Sequence, residues 1–319
     1  MPSVLPIEFL RRHGRQFPAW DLEASLRYTR SLTRAHYENF LVASLLVPKR
    51  LRQDYCNVYA YCRWADDLGD ETGNPRLSLD LLQWWRGQLA AIGSGKAHHP
   101  VFVALKETVA RHALPHQDFE DLLCAFEQDQ SKHSYASYDD LLEYCRYSAN
   151  PVGRLVLRLN GYSDAALFGL SDSICTALQL ANHWQDIARD WRIGRVYMPE
   201  DVMQAHGFSR DTLADDMARG RASAQCRETV RDLTERAHEL FRAGLPLADR
   251  LSGRLSIEIE LFAKAGMTVL AQIGSSGFDT ISERPTMTAS DRAALLARVL
   301  GRRLVGAPLA VSEARNADT

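Results

Sequence analysis

The sequence predicts an all-α fold, as one large domain over residues 1–304 followed by a flexible tail over residues 305–319. Apolar residues recur at helical spacing through most of the chain, and Gly, Pro or Asn residues separate the periodic stretches. Sustained alternation of apolar and polar residues, which would indicate strands, is missing from the sequence. With 46% hydrophobic and 24% charged residues over 319 positions, the chain has the composition of a globular protein with a substantial core.

The predicted helices follow this periodicity in chain order. A turn signal at Asn150-Pro151 separates two of them, and Ser163 or Asp164 is a candidate N-cap for the longest. A loop over 274–283 precedes a final short helix. The helical stretches are 51–68, 77–92, 101–113, 117–130, 137–147, 165–191, 222–247 and 255–273.

Charge and cysteine usage exclude several classes of protein. The chain has 38 Lys and Arg against 40 Asp and Glu, which argues against a dedicated nucleic-acid binder. The six cysteines form no C-x-x-C pair, so neither a zinc ribbon nor a thioredoxin-type site is expected. The amino terminus lacks the apolar core of a signal peptide, and no apolar stretch reaches the length of a membrane span. We expect a soluble cytoplasmic protein, for which peripheral contact with a membrane stays open.

The first candidate site is an acidic run at the end of the 51–68 helix. Asp66 and Asp70 are four residues apart, so their carboxylates project from one helical face. Like charges at this spacing repel each other and oppose the dipole at a helix C-terminus. A solvated acidic helix end explains the run equally well, so its interpretation depends on a second motif.

Asp186 and Asp190 repeat the same spacing in the 165–191 helix. Asn182 precedes Asp186 by one turn and Gln179 precedes Asn182 by almost another, which produces a polar stripe. A solvent-facing stripe is the alternative interpretation. Because the surrounding sequence is apolar, we expect part of the stripe to face a cavity.

Two helices with Asp-x-x-x-Asp can face each other across a bundle, and oxygen ligands without His or Cys suit Mg²⁺. Protein-bound Mg²⁺ usually keeps water ligands and is completed by substrate phosphates. The two motifs therefore predict a diphosphate site in which Mg²⁺ acts as a Lewis acid on a leaving group. The Glu-x-x-His of di-iron bundles occurs once, at 235–238, and no Walker, Rossmann or serine-hydrolase motif is present.

Together the two motifs resemble those of the squalene/phytoene synthase family of head-to-head isoprenoid synthases, with similarity from about His36 to about Pro199. The resemblance implies a helical bundle of the isoprenoid synthase type with a central apolar cavity, and Mg²⁺ as the cofactor. The implied metal ligands are Asp66, Asp70, Asn182, Asp186 and Asp190, and the four aspartates together with Tyr144 are the implied catalytic residues. Implied substrate contacts are His36, Phe40, Arg63, Ser148, Val152, Gly153, Gln179, Asn182, Arg195 and Tyr197.

The second motif departs from the family pattern, which is commonly Arg-Asp-x-x-Glu-Asp. Gln185 stands in place of the Arg and Arg189 in place of the Glu. With the run over 38–44, these features are similar to the bacterial hydroxysqualene synthase branch of the family. The resemblance then implies Mg²⁺-dependent conversion of presqualene diphosphate into hydroxysqualene, on the route to squalene and hopanoids.

Two alternatives stay open at this point. One is a condensing member of the family, which joins two prenyl diphosphates to presqualene diphosphate, squalene, phytoene or dehydrosqualene. The other is a helical interaction protein that has kept the fold without the chemistry. The intact aspartates and Arg63 argue against the second alternative, and the oligomeric state is not predicted.

Overall fold

In a computed structural model of the chain, the described residues are 5–15, 18, 20–36 and 47–305, with the side chains of His36 and Val305 excluded. These residues form helices and connecting loops, without a β-strand among them. The all-α prediction is therefore confirmed. Phe40 and the predicted tail beyond residue 305 lie outside the described residues.

The helices are numbered here in chain order. A single 3₁₀ turn, Lys49–Leu51, precedes α3. The helices are α1 (Pro6–His13), α2 (Leu22–His36), α3 (Arg52–Asp70), α4 (Pro75–Ala90), α5 (Pro100–His112), α6 (His116–Gln128), α7 (Tyr138–Ser148), α8 (Asn150–Leu159), α9 (Ala165–Gln185), α10 (Ile187–Arg192), α11 (Glu200–Ala205), α12 (Arg210–Arg219), α13 (Ala224–Gly244), α14 (Leu247–Arg250), α15 (Gly253–Ser275) and α16 (Ala289–Val305).

The predicted helices are present, with ends that differ by a few residues and two internal breaks. The 165–191 stretch divides at Asp186, and the 222–247 stretch ends at Gly244 before the short α14. Helices α1, α2, α8, α11 and α12 lie outside the predicted stretches. Helix α8 begins at Asn150 with Pro151 in its first turn, where the missing N–H of proline removes no helical hydrogen bond. The Asn150-Pro151 signal thus marks the start of a helix.

The chain divides into two compact units. The first contains Met1–Tyr135 and Asp139–Phe168, and the second contains Ala136–Tyr138 and Gly169–Thr319. The single domain expected over residues 1–304 stays a prediction. None of the described helices has the length and apolar character needed to cross a membrane.

In the first unit, α3 lies in an aromatic core that fixes its orientation. Trp64 and Trp85 stack with ring centroids 5.0 Å apart, and the His99 ring meets Trp64 edge-on at 4.3 Å. Tyr61 is fully buried and donates a hydrogen bond of 2.9 Å to the carbonyl oxygen of Phe119. Because buried aromatic rings contribute large apolar areas, this face of α3 is held inside and the opposite face carries Asp66 and Asp70.

In the second unit, close backbone approach fixes α9. A Cβ added at Gly244 of α13 would lie 2.7 Å from the carbonyl oxygen of Leu170, and one at Gly266 of α15 would lie 2.9 Å from Leu178. The contact at Gly244 is with backbone, so only glycine lets α13 pack this closely on α9, whereas the contact at Gly266 is with the end of the Leu178 side chain. Trp184, near the end of α9, is fully buried.

Candidate active site

The first motif, Asp66–Asp70, occupies the last turn of α3. The side chain of Asp66 is 43% exposed and Asp70 is exposed, whereas the side chain of Asp67 is only 3% exposed. The spacing of four residues therefore places Asp66 and Asp70 on the accessible face, while Asp67 points into the unit.

Arg63 precedes the acidic run by one turn and binds two of its carboxylates. Its Nη1 lies 3.3 Å from Oδ2 of Asp66, and its Nη2 forms an ion pair with Asp67. Burial raises the pKa of Asp67 to about 7 against the opposing charge of Arg63, and Asp66, Glu71 and Asp70 raise it further. Arg63 thus neutralises acidic charge that would otherwise be costly to bury.

Tyr144 of α7 is 4% exposed and has a carboxylate partner in the same unit. Its hydroxyl donates a hydrogen bond of 3.1 Å to Oδ2 of Asp129, and the ring of Tyr135 lies 5.5 Å from its own. Because the hydroxyl proton is committed to Asp129, the phenol oxygen acts as an acceptor toward other groups. Asp129 therefore sets the hydrogen-bonding role of Tyr144.

Three further predicted contacts of the first unit lie around the junction of α7 and α8. Ser148 ends α7, and its buried Oγ has no hydrogen-bond partner among the residues that the structure describes. Val152 is 41% exposed, whereas Gly153 is buried. His36 ends α2, and its side chain, like Phe40, is outside the described part of the chain.

The second motif, Asn182–Asp190, spans the junction of α9 and α10. Asp186 leaves helical geometry with φ −103° and ψ 13°, yet its carbonyl accepts a 2.8 Å hydrogen bond from the N–H of Asp190. The spacing of one turn between the two aspartates is thus kept across the break. Asn182 is exposed and Gln179 half-buried on the preceding turns of α9.

Asp186 has a cationic partner that sequence analysis did not predict. Arg284, in the segment between α15 and α16, places Nη2 3.1 Å from Oδ2 of Asp186, and its Nε donates to Oδ1. The same guanidinium lies 3.2 Å from Oε1 of Gln185. The two hydrogen bonds to one carboxylate form a bidentate ion pair.

Asp190 faces a pocket that it lines together with Arg195, Tyr197 and His183. Burial, and then the charge of Asp186, raises the pKa of Asp190 to about 7. The ring of Tyr197 stacks on His183 with centroids 3.6 Å apart, and burial with Arg195 nearby lowers the pKa of His183 to about 3. His183 is therefore a neutral packing partner that fixes the segment carrying Arg195 and Tyr197.

The donors fit Mg²⁺ in chemical type. Across the described ranges, no group of three or more His, Cys, Asp or Glu side chains is arranged to hold a metal ion by itself. Each motif instead offers carboxylates one helical turn apart, and Mg²⁺ commonly takes one or two carboxylates and completes its shell with water and phosphate. Burial is the main cause of the raised pKa of Asp190, with Asp186 adding to it, so a cation bound between these carboxylates would favour their charged forms.

Comparison with known proteins establishes the family. The squalene/phytoene synthase family model matches residues 33–291. The hydroxysqualene synthase of Rhodopseudomonas palustris is 33% identical over 253 residues, covering 77% of this chain and 82% of the relative. The phytoene synthase of Thermus thermophilus is 30% identical over 277 residues, covering 86% and 91%. This chain therefore belongs to the squalene/phytoene synthase family, a family of enzymes, and the resemblance drawn from its motifs is confirmed.

A solved structure supports the same assignment of fold. The squalene synthase HpnC from Alicyclobacillus acidocaldarius is 41% identical and matches with a TM-score of 0.74, covering 81% of this chain and 95% of that one. The predicted isoprenoid-synthase fold is thereby confirmed, while its central cavity stays a prediction.

Two contacts of the site came from residues that the sequence did not single out. Asp129 falls at the end of the predicted 117–130 stretch, just past the observed end of α6, and Arg284 lies beyond a predicted loop. The available signal for Arg284 was indirect, because Gln185 left the second motif without the arginine that the family commonly has there. For Asp129 the sequence carries no comparable signal.

Proposed function

We propose that this chain converts presqualene diphosphate into hydroxysqualene in a Mg²⁺-dependent reaction. The observation that carries the proposal is the second motif, which keeps Asp186 and Asp190 while Gln185 and Arg189 replace the usual Arg and Glu. The 33% identity to a hydroxysqualene synthase over most of both chains supports the same assignment.

In this proposal the two motifs handle the diphosphate. Asp66, Asp70, Asn182, Asp186 and Asp190 would hold Mg²⁺, which supplies Lewis acidity to the leaving diphosphate. Arg63, already turned toward the acidic run, and His36 would offset remaining phosphate charge. Gln179, Arg195 and Tyr197 would contact the same group from α9 and from the segment after α10.

Loss of diphosphate leaves a cyclopropylcarbinyl cation, which has to be shielded from bulk water while it rearranges. Phe40, Ser148, Val152 and Gly153 are the proposed walls around it. One water then adds its oxygen to the rearranged cation and gives up a proton, which yields hydroxysqualene. The hydroxyl of Tyr144 donates a hydrogen bond to Asp129. Its oxygen is therefore suited to accept a hydrogen bond from that water and to orient it.

A condensing reaction is the second candidate. The solved structure that is 41% identical is described as a squalene synthase, and a phytoene synthase is 30% identical over 86% of this chain. Such an enzyme would join two molecules of farnesyl diphosphate or a longer prenyl diphosphate. The two candidates differ in their substrates: the first requires presqualene diphosphate, whereas the second turns over a prenyl diphosphate such as farnesyl diphosphate as the sole substrate.

The deciding experiment incubates the purified protein and Mg²⁺ with presqualene diphosphate, without NADPH, and identifies the lipid product by mass spectrometry. A parallel reaction contains farnesyl diphosphate alone. Hydroxysqualene from the first and no product from the second is the expected result. Turnover of farnesyl diphosphate would replace the proposal with the condensing reaction.

The Asp186→Asn variant serves as the matched control, because it keeps the size of the side chain and removes its charge. If the Asp186→Asn variant forms as much product as the wild type, the reaction does not depend on the second motif. If the wild-type protein forms no product from presqualene diphosphate, farnesyl diphosphate or geranylgeranyl diphosphate, a non-catalytic interaction protein is favoured.

A further inference from the structure

Gln185 uses both ends of its side-chain amide on two consecutive residues of a distant segment. It ends α9, is 6% exposed, and donates through Nε2 to the carbonyl oxygen of Pro285. Its Oε1 accepts a hydrogen bond of 3.2 Å from Nη2 of Arg284. A glutamine at this position thus ties the 276–288 segment to the second motif.

The residue held in this way is the one that covers Asp186. The Arg284 side chain is 45% exposed, and the Asp186 side chain is 17% exposed. A long, half-exposed arginine loses considerable rotamer entropy when it is fixed in one geometry, so a surface ion pair of this kind is weak by itself. The two hydrogen bonds of Gln185 supply the additional restraint.

We infer that Gln185 is a positioning residue that holds Arg284 on Asp186, so that residue 185 decides which part of the chain supplies the guanidinium paired with Asp186. An amide is needed because it offers a donor and an acceptor together. Arginine, which the family commonly has here, offers only donors and repels Arg284. With glutamine, the guanidinium comes from the segment between α15 and α16 instead of from α9.

A consequence of this arrangement bears on metal binding and rests on the proposed function. Arg284 occupies both carboxylate oxygens of Asp186, so a divalent cation that binds there competes with the guanidinium. Weakening the hold of Gln185 should therefore make Asp186 more available. The effect of Gln185 reaches the metal through Arg284, not through a contact of its own.

The first test is hydrogen–deuterium exchange of the metal-free full-length chain. Gln185→Met keeps the length of the buried side chain and removes both hydrogen bonds, and Gln185→Arg adds repulsion. We expect the backbone amides of 281–288 to exchange about tenfold faster in both variants, because loss of the hydrogen bonds of Gln185 makes local opening of this segment easier. Gln204→Met, at an exposed position on α11, is the matched control and should exchange like the wild type. Unchanged exchange of this segment in both Gln185 variants would overturn the inference.

The second test separates positioning from a general structural role through a double-mutant cycle. Gln185→Met and Arg284→Gln should each tighten Mn²⁺ binding by about threefold or more in calorimetric titration, and the double variant should gain nothing further, because both act on one ion pair. Additive gains would show that Gln185 acts independently of Arg284 and would refute the positioning role. If no variant and no wild-type protein binds Mn²⁺, the metal site of the proposed function fails, and the exchange experiment still decides the role of Gln185.

Discussion

The two aspartate motifs obtain their positive partners in different ways. In the first motif, Arg63 is one turn before Asp67 on the same helix, and the pair belongs to α3 itself. In the second motif, Asp186 is paired with Arg284, which is 98 residues further along the chain. In the first unit, a carboxylate of the motif is thus paired with a residue of the same helix. In the second unit, it is paired with a residue that only the tertiary structure brings close.

The two solutions differ in how deeply the charges are buried. Asp67 is almost completely inside and depends on Arg63, whereas both Asp186 and Arg284 retain contact with solvent. Removing one member of a buried pair leaves an uncompensated charge, while a partly exposed pair contributes little to stability. We therefore expect the first pair to matter for folding and the second pair to matter for the site.

The largest effect is expected on turnover, where the two motifs should behave alike. Asp66→Asn and Asp186→Asn should each lower kcat for release of diphosphate by about 10²- to 10⁴-fold, because in the proposed function each carboxylate holds Mg²⁺, which offsets the charge of the leaving group. Product formation from presqualene diphosphate with saturating Mg²⁺ measures this, with circular dichroism as the control for folding. Full activity in either variant would show that one motif is dispensable.

The next effect should separate the motifs by stability. Arg63→Gln is expected to lower the free energy of unfolding by about 2 kcal/mol at pH 7.5, because the buried carboxylate of Asp67 loses its counter-charge. Urea denaturation without metal gives the value. Arg27→Gln removes an exposed pair of the same spacing with Glu23 and should cost under about 0.5 kcal/mol. Equal losses in the two variants would contradict a special role for burial.

A smaller effect concerns the pH dependence of the second motif. The pKa of Asp190 is about 7 in the folded chain, above its ordinary 3.8, so the folded state keeps a proton that the unfolded state has released. The stabilising effect of this retained proton is present below about pH 4 and is lost as the pH rises through 7. Asp190→Asn should therefore gain about 1 kcal/mol relative to the wild type between pH 4.5 and pH 8, since its carboxyl is only partly buried.

The pH experiment is urea denaturation in EDTA at several pH values. Asp211→Asn, which removes an exposed carboxylate on α12, is the matched control and should show no such drift. A constant difference between wild type and Asp190→Asn across this range would disprove the raised pKa.

The smallest effect is expected for Arg284. Arg284→Gln should change the free energy of unfolding by less than about 0.5 kcal/mol, because the pair with Asp186 is partly exposed and screened. Urea denaturation beside Arg63→Gln provides the comparison directly. A loss as large as that of Arg63→Gln would mean that the second pair is also part of the folding core.

Helical periodicity predicted most of the fold, and it failed where the pattern was short or interrupted. The polar α2 and the short α11 and α12 carry few apolar repeats, so these helices were not expected. Helix α8 has apolar residues at helical spacing, but Asn150-Pro151 was interpreted as a turn between helices. The break at Asp186 also has no sequence signal, since a single residue with φ −103° leaves the apolar spacing of α9 and α10 unchanged. The carboxylates of Asp66 and Asp70 could be assigned to one face because helix geometry alone fixes it.

The sequence by itself determined the local half of this protein: which stretches are helical and which aspartates share a face. All of these follow from 3.6 residues per turn and need no knowledge of distant residues. Tertiary structure alone decided that Asp129 accepts a hydrogen bond from the hydroxyl of Tyr144 and that Gln185 and Arg284 meet at Asp186. Such contacts depend on how helices pack and where loops return, which a local pattern of side chains does not encode.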